Sequence, residues 1–170
     1  MSFKGKIWEI SAKFNPLLQE FLSDKEQGKK FLGVLCEDIF VERILLYRLD
    51  AQIKSAAKEK YLLLGTELKA DKLAELVGGP GLFDQNQIWL ILHAEKCAKD
   101  ILVQLKKLRT DISLPVIMFF SAESKEMGSL VDYWVEGPRP WEGEQLISFF
   151  AKEMQVAINH QETRLLAEHL

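Results

Sequence analysis

The stretch KFLGVLCEDIFVERILLYRL, residues 30–49, decides the fold class of this chain. Its first six residues form an almost continuous apolar run, which is typical of a strand that is buried on both faces. The acidic residues Glu37 and Asp38 follow at once, and negative charge is favourable at the start of a helix. The stretch therefore predicts a buried strand, residues 30–35, that leads directly into a long helix, residues 37–58.

The same alternation of apolar runs and helical patterns continues along the chain. The other predicted strands are residues 61–64, 88–92, 115–120 and 132–135, and the other predicted helices are residues 14–22, 67–77, 96–109, 141–157 and 161–169. Because the strands read as apolar runs rather than as alternating patterns, we expect helices on both faces of a parallel sheet. The predicted fold class is α/β with three layers.

The composition limits the classes of function. The chain has 170 residues, 48% of them hydrophobic and 28% charged, with a net charge of -3, as expected of a globular protein without a nucleic-acid footprint. No apolar run approaches 18 residues, and no signal peptide is recognisable, so we expect a cytoplasmic protein that does not engage a membrane. Cys36 and Cys97 are too far apart for a metal motif and are expected to be buried thiols.

Residues that would carry chemistry are missing from the expected places. The segment CEDIFVE after the first strand has no glycine-rich loop, lysine or hydroxyl, and its acids would repel a phosphate. There is no GxSxG motif, and His93, His160 and His169 share no metal-ligand spacing. His93 lies at the end of a predicted strand. A histidine at such a position is either a functional base or, more commonly, a residue with only a structural role. We therefore expect no catalysis, cofactor or metal site.

Several other side chains have a structural interpretation. The apolar residues of the long helix recur at near-helical spacing, namely Phe40, Ile44, Tyr47 and Ile53. The tryptophans that we expect in the core are Trp89, Trp134 and Trp141. The basic residues that we expect on a solvated helix edge are Lys99, Lys106, Lys107 and Arg109.

A receiver-like signalling domain is an alternative function. Such domains carry an acidic pair after the first strand and a hydroxyl after the fourth, as Glu37–Asp38 and Ser121 do here. However, His93 stands where the phosphate-accepting carboxylate should be, and Glu136 where the lysine should be. The alternative is therefore a degenerate receiver that is not phosphorylated.

A turn in the middle of the chain carries the candidate binding site. In GGPGLFDQNQIWLILHAEK, residues 78–96, three glycines and a proline lead into Leu82 and Phe83, and polar residues follow. Adjacent large apolar residues in a turn can anchor a partner protein in a pocket. The alternative is a hydrophobic contact that closes the end of the preceding helix, because such contacts often accompany a glycine at a helix terminus.

This turn resembles the delta subunit of the bacterial DNA polymerase III clamp loader, in which a Ser-Leu-Phe turn precedes a hydrophobic strand. Three other segments are similar to that family and occur in the same order along the chain. Together with the turn they cover nearly the whole chain. They are LLQEFLSDKEQGKKFLGVLCEDIFVERILLYRL, LPVIMFFSAESKE and QLISFFAKEMQVAINHQETRLLAEHL. The chain departs from the family pattern at Gly81, which replaces the serine, and at Cys36, which replaces a glycine. It also has about half the family's length.

The resemblance implies a fold related to the AAA+ ATPases but without a working nucleotide site. It also implies that the domain binds the sliding clamp through Leu82 and Phe83 and helps to open it, with other loader subunits as further partners and DNA contacted only indirectly. The implied organisation is an AAA+-like domain over residues 1–143. Residues 144–170 would hold a connecting helix and the beginning of a helical second domain.

Overall fold

The computed structural model describes residues 3–22, 29–78 and 86–169, and within these ranges it contains six strands and six α-helices. The strands are β1 (Phe3–Lys6), β2 (Phe31–Cys36), β3 (Glu59–Leu64), β4 (Gln87–Leu92), β5 (Val116–Phe120) and β6 (Tyr133–Glu136). The helices are α1 (Ile7–Leu22), α2 (Ile39–Ser55), α3 (Ala70–Gly78), α4 (Lys99–Leu108), α5 (Gly143–Glu153) and α6 (His160–Ala167). No helix in these ranges has both the length and the apolar composition needed to cross a bilayer.

The strands form one sheet in the order β1-β6-β2-β5-β4-β3, and every neighbouring pair is parallel. The central strand β2 pairs with β5 on one side, where Phe31 aligns with Val116, and with β6 on the other, where Val34 aligns with Tyr133. The predicted parallel sheet is therefore confirmed.

Helices cover both faces of the sheet, as its apolar strands predicted. Alternate residues of β2 point to opposite faces, so that Phe31 and Leu35 join one core cluster with α3 and α4. Leu32 and Val34 join the second cluster, which α1, α2 and α5 cover. Each face of β2 is thus removed from water, which explains why its sequence lacks polar alternation.

The amino-terminal part differs from the sequence-based prediction. The helix predicted for residues 14–22 begins at Ile7, and β1 precedes it at the edge of the sheet beside β6. Pro16 lies inside α1, a position that usually interrupts a helix. Burial of Ile7 and Ile10 in the core holds the first turns of α1 in place despite the proline.

Helix α2 carries two apolar stripes rather than one. Its core-facing residues are Val41, Leu45, Leu49 and Ile53. Of the residues whose spacing the sequence indicated, Ile53 belongs to this stripe, whereas Phe40 and Tyr47 are exposed and Ile44 is half-buried. Part of the apolar surface of α2 is therefore not used by the core.

The last two helices lie against the rest of the domain. Leu146 and Phe150 of α5 are buried in the same core as α2, and Gly143 at its start approaches Ala167 of α6, whose Cβ would lie 3.2 Å from a Cβ added to the glycine. Helix α6 therefore packs along α5. The assignment of residues 144–170 to the beginning of a second domain stays a prediction.

Helix α2 ends with a residue other than glycine in the left-handed conformation, namely Ala57 with φ 53°. The amide of Lys58 reaches back to the carbonyl of Ile53 at 3.2 Å, as in a glycine-terminated helix end. We expect Ala57→Gly to raise the free energy of unfolding by about 0.5–1 kcal/mol, because glycine adopts this conformation without steric cost. Thermal unfolding measures the change.

The control is Ala51→Gly, at an exposed position inside the same helix. There the same substitution should lower the free energy of unfolding by about 0.5–1 kcal/mol, since glycine disfavours a helix interior. Two shifts of the same sign would contradict the expectation for Ala57.

Candidate functional site

Leu82 and Phe83 lie outside the described residues, in the connection between α3 and β4. The described residues on both sides of that connection lie at the amino-terminal edge of the sheet. Helix α3 ends at Gly78, close to the predicted end at Val77, and the strand that follows begins at Gln87. The candidate binding pair is thus bounded by two well-defined elements.

The carboxyl end of α3 is fixed to the loop that precedes β5. The amide of Ser113 donates to the carbonyl of Leu76 at 3.0 Å, and the Ser113 hydroxyl donates to the carbonyl of Val77 at 2.9 Å. Leu76 itself is fully buried in the core. These bonds satisfy carbonyl groups that the end of a helix leaves free, and they hold the end of α3 against the domain.

The opposite, carboxyl-terminal edge of the sheet is where ligands of parallel α/β domains usually bind. Here Asp38 follows β2 and caps α2, and its Oδ1 accepts hydrogen bonds from the amides of Phe40 at 3.0 Å and Val41 at 2.9 Å. The expected role of the acidic pair at a helix start is confirmed for Asp38. The amides that an anion would need at this helix terminus are occupied by a carboxylate of the chain itself.

The segment after β6 closes over the same position. A Cβ added to Gly137 would lie 3.1 Å from Cβ of Asp38, so the two segments are in close contact. Lys6 is buried beside them, donates to the carbonyl of Gly137 and pairs with Glu142 at 3.0 Å. Hydrogen bonds from the amide of Arg139 and from the side chain of Lys6 lower the pKa of Glu142. The buried cation in this contact, Lys6, is therefore already paired with a protein carboxylate.

A polar cluster occupies the ends of β4 and β5 at the same edge. The Ser121 hydroxyl donates to Oε2 of Glu42 at 3.0 Å and lies 3.1 Å from Nδ1 of His93. The Ser121 amide donates to Glu95 at 3.0 Å. In the contact between Ser121 and His93, the tautomer of the imidazole decides which of the two groups donates.

The sequence directed attention to His93 and Ser121 but not to Glu42, which is nearly buried at 8% exposure and reaches the cluster from α2. Glu42 lies one turn into a helix that acidic residues precede. Nothing in this sequence context indicated that its side chain would point into the domain. Among the described residues, no group of three or more His, Cys, Asp and Glu side chains could hold a metal ion.

No protein-family model matches the chain, and no curated protein matches it. Among solved structures, RuvB of Thermotoga maritima superposes with a TM-score of 0.54 at 15% identity, covering 94% of this chain and 55% of that one. PCH-2 of C. elegans matches with a TM-score of 0.44 at 14% identity, covering 90% of this chain and 48% of that one. The chain thus spans about half the length of these AAA+ proteins. The fold is AAA+-like.

The strand order also decides against a receiver fold. Receiver domains have the doubly wound order 2-1-3-4-5, in which the first strand lies between the second and the third. In this AAA+-like domain the corresponding first strand, β2, lies between β5 and β6. The acidic residues after β2 and the hydroxyl of Ser121 therefore belong to a different architecture, and the receiver alternative is wrong at the level of the fold.

The remaining sequence-based assignments have mixed outcomes. Cys36 and Cys97 are buried thiols as predicted, and burial raises the pKa of each to about 12, which removes them as nucleophiles. Trp89 is buried and Trp134 packs against the core, but Trp141 is 74% exposed, so its assignment to the core was wrong. It follows Pro140 in a short helical turn, Pro140–Glu142.

The basic edge predicted for α4 is solvated only in part. Lys99 and Lys107 are exposed as predicted, whereas Arg109 is a structural residue. Its guanidinium pairs with Asp132 at 2.6 Å and lies over the ring of Phe31, 4.8 Å from the centroid. Asp132 also accepts from the amide of Gly33 at 2.9 Å. Arg109 therefore ties α4 to the strands of the AAA+-like domain.

Proposed function

We propose that this chain is an AAA+-like domain of the clamp-loader delta type, which binds the DNA sliding clamp and helps to open it during replication. It performs no nucleotide chemistry of its own. The observation that carries the proposal is the use of Asp38 to cap α2 at the position where a nucleotide-binding domain needs free amides. A domain that keeps such a fold without a phosphate site is best explained as a protein-binding module.

The charges around Asp38 support this proposal. A bound phosphate would have to displace the carboxylate from the amides of Phe40 and Val41, and it would then lie beside Glu37 and the nearly buried Glu42. The negative charges of the phosphate and of these two carboxylates would repel one another strongly, because the site is partly desolvated. The nearest buried cation, Lys6, is engaged by Glu142 and provides no compensation.

The clamp contact is assigned to Leu82 and Phe83, the pair that the resemblance to the delta family indicates. The anchoring of the α3 terminus through Ser113 supports the assignment, because a fixed exit point limits the conformational entropy that the turn loses on binding. The other loader subunits are further proposed partners in the cytoplasm, and DNA is reached only through the clamp and those subunits.

Calorimetry tests both halves of the proposal with the same sample. Titration of the chain with ATP and Mg²⁺ should give no saturable heat, whereas titration with purified sliding clamp should give a binding isotherm. Asp38→Asn keeps the cap but removes the charge, and it should also fail to bind ATP, because no glycine-rich loop or lysine is present. A micromolar ATP isotherm would contradict the loss of the nucleotide site, and a flat clamp titration would contradict the clamp assignment.

A further inference from the structure

An open groove of about 680 Å³ lies between α2 and α5 and extends to α6. Residues of all three helices line it, among them Phe40, Ile44, Tyr47, Phe150, Met154 and Leu166. Its size falls in the range of about 300–1,000 Å³ that is typical of binding pockets. The groove lies on the face of the sheet that α2 and α5 cover, whereas the helix before the Leu82–Phe83 turn, α3, packs on the other face.

Several apolar side chains that line the groove are exposed to solvent instead of being buried in the core. Tyr47 is 71% exposed and Met154 is 65% exposed, and Val156 and Leu166 beside them are also largely in solvent. Isolated apolar residues on a surface are common, but a contiguous set that lines one concavity indicates a binding site. The second stripe of α2, of which Ile44 packs partly against the core while Phe40 and Tyr47 are exposed, is one wall of this site.

The shape of the groove fits a helix. Phe40, Ile44 and Tyr47 follow one another at helical spacing along α2, and the facing wall is the helix α5, so the concavity runs between two helices. A third helix packs into such a concavity by placing a ridge of side chains between the two walls. A helix that binds in this manner presents apolar residues at i, i+3, i+4 and i+7.

The charged residues on the α2 wall indicate which charges a partner would need beside its apolar face. Arg43 and Lys54 lie on the exposed side of the apolar stripe, three residues after Phe40 and seven after Tyr47, and neither has an ion pair with a described residue. Arg48 pairs with Glu153 through Nη2 at 2.8 Å, but its buried Nη1 has no hydrogen-bond partner among the described residues.

Two acidic groups near the groove are already paired with cations. Asp50 pairs with Lys60 at 2.7 Å, and Glu153 pairs with Arg48 at 2.8 Å. The α2 side of the groove, which carries the exposed Arg43 and Lys54, is therefore locally positive in a chain whose net charge is -3. Complementary charges across an interface select the partner and its orientation.

We propose that this groove binds an amphipathic helix of a partner protein, with apolar side chains in the groove and flanking Asp or Glu residues against Arg43 and Lys54. This site lies on the opposite face of the sheet from α3, the helix before the Leu82–Phe83 turn, and the proposal does not depend on the proposed function. A basic apolar surface could also contact an anionic membrane, but a bilayer is flat and would leave the concavity between α2 and α5 unfilled.

The probe is a set of labelled peptides of about 18 residues, long enough to form a helix. All carry leucines at i, i+3, i+4 and i+7, and they differ only in flanking glutamates, lysines or glutamines. Fluorescence anisotropy with the full chain should give saturable binding of the acidic peptide, at least about tenfold tighter than the basic one and weaker at high salt. The methyl resonance of Met154 should shift on binding, while that of buried Met127 should not.

Two variants locate the contact. Arg43→Glu with Lys54→Glu should reverse the preference in favour of the basic peptide, whereas Lys107→Glu with Lys125→Glu changes the net charge equally at exposed positions elsewhere and should leave it unaltered. Tyr47→Ser with Met154→Ser should weaken binding of the acidic peptide about tenfold with little change in melting temperature, because both side chains are exposed.

Equal affinities for the acidic and basic peptides, no saturable binding, or an unchanged preference in the Arg43 and Lys54 variant would each overturn the proposal. Vesicles that contain phosphatidylserine provide the remaining comparison. Binding to these vesicles without binding to the acidic peptide would assign the surface to a membrane instead.

Discussion

Leu82→Ala combined with Phe83→Ala is expected to weaken binding to the sliding clamp by at least about 100-fold. Full burial of a Leu or Phe side chain contributes about 1.5–3 kcal/mol, and each 1.4 kcal/mol corresponds to a tenfold change in affinity. The melting temperature should stay close to that of the unaltered chain, because residues that anchor a partner do not belong to the core. Calorimetry and thermal unfolding on the same preparation measure the two effects.

The control removes similar side chains from an exposed position elsewhere in the domain. Leu62 and Leu64 on the edge strand β3 are 51% and 45% exposed, and their joint replacement by Ala should leave clamp affinity unchanged. A large fall in the melting temperature of the Leu82 and Phe83 variant would support the alternative, in which the pair closes the end of α3. Retained affinity would show that the clamp contact lies elsewhere.

Gly33→Ala is expected to have the largest effect on stability. A Cβ at this position would lie 1.7 Å from the carbonyl oxygen of Leu130, a backbone atom that cannot move by a change of rotamer. The segment is held against β2, since the amide of Asp132 donates to the carbonyl of Gly33 at 2.8 Å. We expect a loss of at least about 3 kcal/mol, at the upper end for overpacking, and a melting temperature lower by about 6–12 °C.

Gly78→Ala is the matched control, because among the described residues no atom beyond the neighbouring residues and the backbone of its own helix lies within 4 Å of a Cβ added there. This variant should unfold close to the temperature of the unaltered chain. Differential scanning calorimetry measures the melting temperatures of both variants. If Gly33→Ala melted like Gly78→Ala, the close approach of the Leu130 carbonyl to β2 would be wrong.

The sequence predicted the type and approximate bounds of most elements, because burial on both faces leaves a clear apolar run in strands such as Val116–Phe120. It did not predict β1, whose residues Lys4 and Lys6 break the run, although Lys6 is buried through its pairing with Glu142. The strand order was also beyond the sequence pattern. It depends on which strands meet in space, and the pattern of a strand does not name its neighbour.

The candidate sites were predictable to different degrees. The absence of a phosphate loop after β2 follows directly from residue types, and the structure adds that Asp38 occupies the helix amides. The groove was missed because Phe40, Ile44 and Tyr47 have the spacing of a core-facing stripe. Only the packing shows that Val41, Leu45 and Leu49 fill that role. Periodicity identifies an apolar face but cannot tell a core from a binding surface.

The strand order has a consequence for synthesis on the ribosome. β2 leaves the ribosome early, but its partners β5 and β6 begin at Val116 and Tyr133. At about 5–20 residues per second, roughly 4–16 s pass between the translation of β2 and that of β5. During that time the apolar strand Phe31–Cys36 has no neighbour in the sheet, so the nascent chain depends on local collapse or on chaperones to avoid aggregation. Completion of the sheet must wait for the last third of the chain, and we expect such non-local pairing to make folding slow.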